Sequence, residues 1–206
     1  VGFTTRDDDY AGPIAIGFDF KFYEQTFSEL YISTNGMINF GRESDEFVNR
    51  SMPRDTYPDN FVAPFWDDLI MLVDQYGNKI SRVFVQSLNS PAGKYFVVEW
   101  NQFARIGSSD LVTFQAVLYE NGDIVLQYHD LNGILTEATV GIEDGYGSDG
   151  LQYLYNAPGL STATALRFKR PAATRRAKIT PVYTSGFATS QKAELSFTII
   201  NSGELG

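Results

Sequence analysis

The sequence predicts an all-β fold, an antiparallel two-sheet sandwich followed by the first strands of a second, Ig-like β-sandwich. Three observations predict it. Short runs in which apolar and polar residues alternate fill the chain, and no window of a dozen residues carries the i, i+3, i+4, i+7 spacing of a helix. Phe and Tyr, which suit a pleated half-buried surface, number 16 and 12. Eighteen glycines, with Asn, Asp and Pro, punctuate the runs.

The first strand is expected over 14–22. Residues 30–34 and 37–40 flank Asn35-Gly36, and a two-residue turn there would pair Tyr31 with Phe40 and Ser33 with Ile38. Residues 42–60 are polar, carry Pro53 and Pro58, and read as a long loop; 61–73 returns to an apolar pattern. A second hairpin spans 79–88 and 94–103, and a third spans 111–120 and 123–129 around Asn121-Gly122. In the third, Phe114, Leu118 and Val125 are expected on one face and Val117, Tyr119, Ile124, Leu126 and Tyr128 on the other. That pattern predicts strands central in a sheet covered on both sides. Further strands are expected at 138–142, 151–155 and 163–169. This places a first domain at 1–170, a linker at 171–177, and alternating runs at 178–184 and 193–200 that open an Ig-like module over 178–206 or pair with another chain.

Twenty-five acidic against 16 basic residues give a net charge of −9. No basic surface can be assembled, so nucleic acid is excluded as a partner. No apolar run approaches the length of a membrane span, so membrane insertion is not expected. With no cysteine, disulfides, thiol chemistry and Cys-based zinc sites are excluded. The chain opens on Val1 with no signal peptide, which reads as a piece of something longer.

Five phrases carry a family resemblance. They are the stretch at 16–23, Leu30 to Gly41 around Asn35-Gly36, Ala63 to Leu69, Val97 to Asn101, and Thr113 to Ile124. In that order they resemble the nidogen-like (NIDO-type) β domain over about residues 10–170, closest to the forms in bacterial secreted and surface proteins. The tail, with Phe197 to Gly203, is similar to the opening of bacterial Ig-like modules. The resemblance implies a secreted or cell-surface location, a scaffold or adhesion role, and no catalytic residues to carry over.

Candidate chemistry is sparse. His129 is the sole histidine, so any Ser-His-Asp arrangement would run through it; no Gly-x-Ser-x-Gly elbow exists, and a margin histidine is the expected reading. Asp67 and Asp68 are neighbours on a strand and point to opposite faces, so one is expected inward accepting hydrogen bonds. Either with Glu99 would be the carboxylate pair of a glycosidase, which needs about 5–10 Å between them. For a cation such as Ca²⁺ the candidates are Asp7 to Asp9 and the Gly-rich loop 143–150, with Glu143, Asp144 and Asp149 as ligands, although the spacing is not that of an EF-hand. Glu120 and Asp123 are expected to oppose each other across the Asn-Gly turn. Tyr10, Tyr57, Tyr76, Tyr146 and Tyr153 fall in or near loops, where they cap the sandwich or stack on sugars and partners. Asn49-Arg50-Ser51 is a glycosylation sequon.

The expected function is therefore a non-catalytic structural or adhesion module, with no catalytic residues and no cofactor beyond the calcium candidate. Its partners would be other subunits or domains of the same parent protein. A glycan- or protein-binding adhesin, and an accessory domain of a secreted subtilisin-like protease, stay open as alternatives.

Overall fold

The computed structural model describes residues 1–133 and 135–171, together with the backbone of Ala177–Pro181 and Phe197–Asn201. Among the described residues there is no helix, and every strand pairing is antiparallel. The chain divides into two compact units, Val1–Lys169 and Arg170–Gly206.

In the first unit one sheet runs in the order β1 (Tyr10–Phe22), β2 (Gln25–Ser33), β3 (Ile38–Asn39), β4 (Phe61–Trp66), β10 (Thr139–Glu143), β11 (Gly150–Tyr155). The other runs β12 (Thr164–Phe168), β9 (Ile124–Leu131), β8 (Leu111–Tyr119), β7 (Gly93–Arg105). The free edge of β7 takes both β6 (Arg82–Ser90) and β5 (Leu69–Met71), which pair with successive parts of it. In the second unit β13 (Ala177–Pro181) pairs with β14 (Phe197–Asn201). The linker stretch 172–176, the loop between these two strands and the end of the expected Ig-like module lie outside the described residues.

The period-two pattern works as expected: the inward residues of both sheets merge into one apolar core. Phe20, Ile32, Ile38 and Phe65 from the first sheet meet Val98, Trp100, Phe114, Leu118 and Leu126 from the second. Burial of each such side chain contributes about 1.5–3 kcal/mol. Trp100 stacks on Phe114 at 5.1 Å and Phe65 on Phe114 at 5.4 Å. Two polar tips buried among these rings find backbone acceptors in the opposite sheet or its connections. Trp100 Nε1 donates to the Ser33 carbonyl and Tyr128 Oη to the Pro64 carbonyl, both at 2.8 Å. Burial drives the Tyr128 phenol well above its usual range, so it stays a donor.

Both Asn-Gly turns differ from expectation by one residue. Tyr31 pairs with Asn39 and Ile32 with Ile38, and Ser33 N donates to the Met37 carbonyl, so Thr34-Asn35-Gly36 is a three-residue loop. Likewise Tyr119 N donates to the Asp123 carbonyl around Glu120-Asn121-Gly122. Within these two loops only the glycines take a positive φ, 75° at Gly36 and 87° at Gly122, whereas a type I′ turn needs it at both central residues. A side chain at Gly36 could not be fitted, because its Cβ would lie 2.0 Å from the Phe65 carbonyl oxygen. The single-residue slip has a large consequence in the third hairpin. Phe114 faces Tyr128, Ala116 faces Leu126 and Leu118 faces Ile124, so these apolar residues share the core face. The outer face carries Gln115 and Gln127 beside Val117 and Val125, and every described strand of the first unit belongs to one of the two sheets, so none is left to form a further layer over it. Asp123 accordingly sits opposite Tyr119 and pairs with Arg167, not against Glu120.

Part of the outer face of the first sheet, around β4 and β10, is closed instead. Segment 42–60 lies over it, and Met52 joins Met37, Phe61, Ala63 and Trp66 in a second apolar cluster. Polar ties hold the segment down: Trp66 Nε1 donates to the Glu46 carbonyl at 3.1 Å, Met52 N to Gln152 Oε1 at 2.9 Å, and Arg54 N to Glu143 Oε2 at 2.9 Å.

Candidate functional site

Three carboxylates come together at one corner. Asp7 and Asp8, ahead of β1, and Asp68, between β4 and β5, each place an oxygen within 4.8 Å of the others. Asn35 fixes this arrangement: its Nδ2 donates to Asp8 Oδ1 and its Oδ1 accepts from Leu69 N, both at 3.0 Å. Burial first, then the charges of Asp8, Asp7 and Asp67, push the Asp68 carboxyl up to about 6, and burial with Asp8 raises Asp7. Asp9 takes no part, since its Oδ2 accepts from Thr4 N at 2.6 Å and Thr5 N at 2.8 Å and folds the terminal loop. Taken one oxygen each, the three carboxylates supply three of the six to eight oxygens that Ca²⁺ takes.

The loop 143–150 turns its acids to other uses. Asp144 Oδ1 accepts from Ser148 N at 2.8 Å and Asp149 N at 3.1 Å, and these bonds outweigh burial and hold its carboxyl below the usual range. Glu143 is 1% exposed and directs Oε2 to Arg54 N. Burial, followed by Asp59 and Asp144, pushes it up to about 7. Asp149 is exposed, and the structure does not gather the three into one ligand cluster.

Asp67 is the inward member of its pair. It is buried, accepts from Asp68 N at 2.9 Å, and bonds Arg105, which also reaches Glu137. Burial raises its carboxyl despite Arg105. Glu99 lies elsewhere, on the open face of the second sheet, so no Asp67–Glu99 or Asp68–Glu99 pair forms a cleft.

That open face carries the larger feature. The register sets Phe84, Glu99, Gln115, Gln127 and Ala165 in one row across β6, β7, β8, β9 and β12. Two adjoining depressions, of about 430 and about 560 Å³, follow this row and the region beside it, and Thr113 and His129 line both. Two β-bulges meet at Thr113. Asn101 and Gln102 of β7 together oppose it on one side, and the extra residue His129 interrupts β9 on the other. Bulges re-aim side chains, which is why they occur beside sites. Gln102 N is bonded to Thr113 Oγ1 at 3.1 Å. His129 is exposed and stands among Gln, Thr and Asp side chains.

The tyrosines divide. Tyr153 Oη donates to the Gly159 carbonyl at 3.0 Å, and Tyr57 lies under the Arg42 guanidinium at 4.3 Å; Tyr76 and Tyr146 are 81% and 77% exposed. The sequon residue Asn49 spends its Nδ2 on the Glu137 carbonyl, Thr139 Oγ1 and Asn156 Oδ1, at 2.6, 3.1 and 2.8 Å, so it tethers segment 42–60. Sequence reading passed over Gln115 and Gln127; their alternation with core residues marks them as outward, but only cross-strand register makes them neighbours.

A two-layer antiparallel sandwich with one partly covered and one open outer face defines a class, the antiparallel β-sandwich module. The family model described as NIDO related matches residues 1–181, and the chain belongs to this nidogen-related family. Such domains are typically extracellular parts of modular proteins. No solved structure matches the chain.

Proposed function

We propose that this chain is a non-catalytic adhesion or structural module of a secreted or cell-surface protein, acting through rigid β faces and without a cofactor. The observation that carries the reading is the open face of the second sheet. Its central row of polar side chains, Glu99, Gln115 and Gln127, stands on paired strands, not on loops, so a partner meets a surface already in its binding shape. The acidic balance of the chain, −9, favours solubility and disfavours anionic partners. Family membership supports the location.

The test uses an antibody raised against the 206-residue chain, applied to intact and to permeabilised source cells, and the purified chain assayed on chromogenic glycoside, ester and peptide substrates. Staining and protease shaving of intact cells, with no turnover, are expected. Staining only after permeabilisation overturns the location. Turnover that disappears in His129→Ala or Glu99→Gln overturns the non-catalytic role.

A further inference from the structure

We propose that the groove on the outer face of the second sheet binds a neutral, hydroxyl-rich saccharide chain; this rests on the adhesion reading and names its ligand class.

The row from Phe84 to Ala165 crosses five strands, about 19 Å at the usual inter-strand spacing, which accommodates several sugar rings. The groove lining includes three carboxylates, Glu99, Asp110 and Asp130, several amides, and no lysine or arginine. Arg82, two residues from Phe84 on β6 and across from Asn101, stands at its rim, and Arg167, two residues from Ala165 on β12, is paired with Asp123. An anionic polymer therefore meets like charge, whereas a sugar hydroxyl donates to a carboxylate and both donates to and accepts from an amide.

The polar groups are set in advance. Gln115 Nε2 donates to Gln127 Oε1, and Asn101 Nδ2 donates to Glu99 Oε1 at 3.0 Å. Two amide carbonyls, one NH₂ and one carboxylate oxygen are left to address a ligand. Backbone conformation is unusual on both flanks: Gln102 at φ 57° and Ala163 at φ 61° are non-glycine residues in the left-handed region, and both line the groove. At the end of the row Phe84 is 51% exposed, a ring face for the apolar C–H side of a sugar. A peptide is the poorer fit. Along its row the groove lies over paired strands, strand addition would have to take place at its rim on the outer edge of β12, and the lining offers no deep apolar pocket for an anchor.

The test is affinity electrophoresis of the full chain through gels containing dextran, mannan, xylan, galactomannan or mixed-linkage β-glucan, against gels containing alginate or heparin. Retardation by at least one neutral polysaccharide, and by neither anionic one, is expected. Gln127→Ala and Phe84→Ala should each weaken it about tenfold, with melting temperature unchanged, while Asp68→Asn, away from the groove, leaves it intact. Retardation by no neutral polymer overturns the proposal. So does retardation that survives both substitutions, or that alginate or heparin produces equally. A negative result removes the saccharide and leaves the location to be judged by the intact-cell staining.

Discussion

The two sheets present the same inner face to one core but treat their outer faces in opposite ways. Over the first sheet, segment 42–60 brings Met52 down onto Met37, Phe61, Ala63 and Trp66, and two backbone NH groups, the Arg50 carbonyl and the Asn49 amide pin it there. Over β7, β8 and β9 no described segment of the first unit is laid in this way, and the row Glu99, Gln115, Gln127 stays at the surface. A sheet face that is apolar has to be covered; one whose outward positions are polar can be left for a partner. On the proposed reading, stability and binding fall on opposite sides of one sandwich.

Substitution should expose that division. Phe61→Ala, on the covered face, removes a ring that is 1% exposed and packed edge-on against Trp66 at 5.4 Å. A loss of about 3–5 kcal/mol in urea denaturation is expected. A loss comparable to that of an exposed-site change would mean that segment 42–60 does not seal the face.

The next effect is titration, and it too belongs to the covered side. Glu143, which receives Arg54 N from that segment, has its carboxyl pushed up to about 7 from an ordinary 4.5. The folded chain therefore holds this proton more tightly than the unfolded chain does. The resulting stabilisation is fully present below about pH 4.5 and is lost as pH rises through 7. Glu143→Gln should flatten this fall between pH 5 and 8, with at most about 2–3 kcal/mol recovered at pH 8. An unchanged pH profile would show that the carboxyl is not confined as described.

A smaller shift is expected at the corner of Asp7, Asp8 and Asp68. The Asp68 carboxyl is pushed up to about 6, so ionisation at pH 7.5 works against folding, and Asp68→Asn should raise the melting temperature there and have less effect at pH 5. A melting temperature that falls instead would mark the cluster as charge-dependent, as a bound cation would make it. Least of all, Gln127→Ala on the open face should change stability by no more than about 0.5 kcal/mol, measured by the same urea titration as Phe61→Ala.

Much of this architecture was legible in the residues. Period-two runs located the strands of the first unit, because a half-buried strand cannot hide its alternation, and the five phrases led to the nidogen-related family. What failed was register. Asn-Gly fits a two-residue turn on local grounds, yet Asn35 is drawn inward by Asp8, the Asp45 carbonyl and Leu69 N, partners distant in sequence, and Gly36 alone takes the left-handed conformation. The same slip at Asn121-Gly122 misassigned the faces of β9 and concealed the open one. Glu99 and His129 were singled out for reasons of catalysis; Glu99 meets Gln115 and Gln127 through the cross-strand register, and His129 joins them at a bulge beside Thr113 that leaves no mark in the sequence. Nor did anything in the polar run 42–60 announce that Met52 would anchor it.

Because the chain has no cysteine, single thiols can report each face without background. The most direct measurement is the rate of maleimide labelling of Gln127→Cys and Met52→Cys in the folded protein, with and without the neutral polysaccharide that retards it. The thiol at 127 should react near the rate seen in urea and slow when the polysaccharide is added, while the thiol at 52 stays protected throughout. Equal rates at the two positions, or a thiol at 127 indifferent to the polysaccharide, would contradict the division between a sealed face and a binding face.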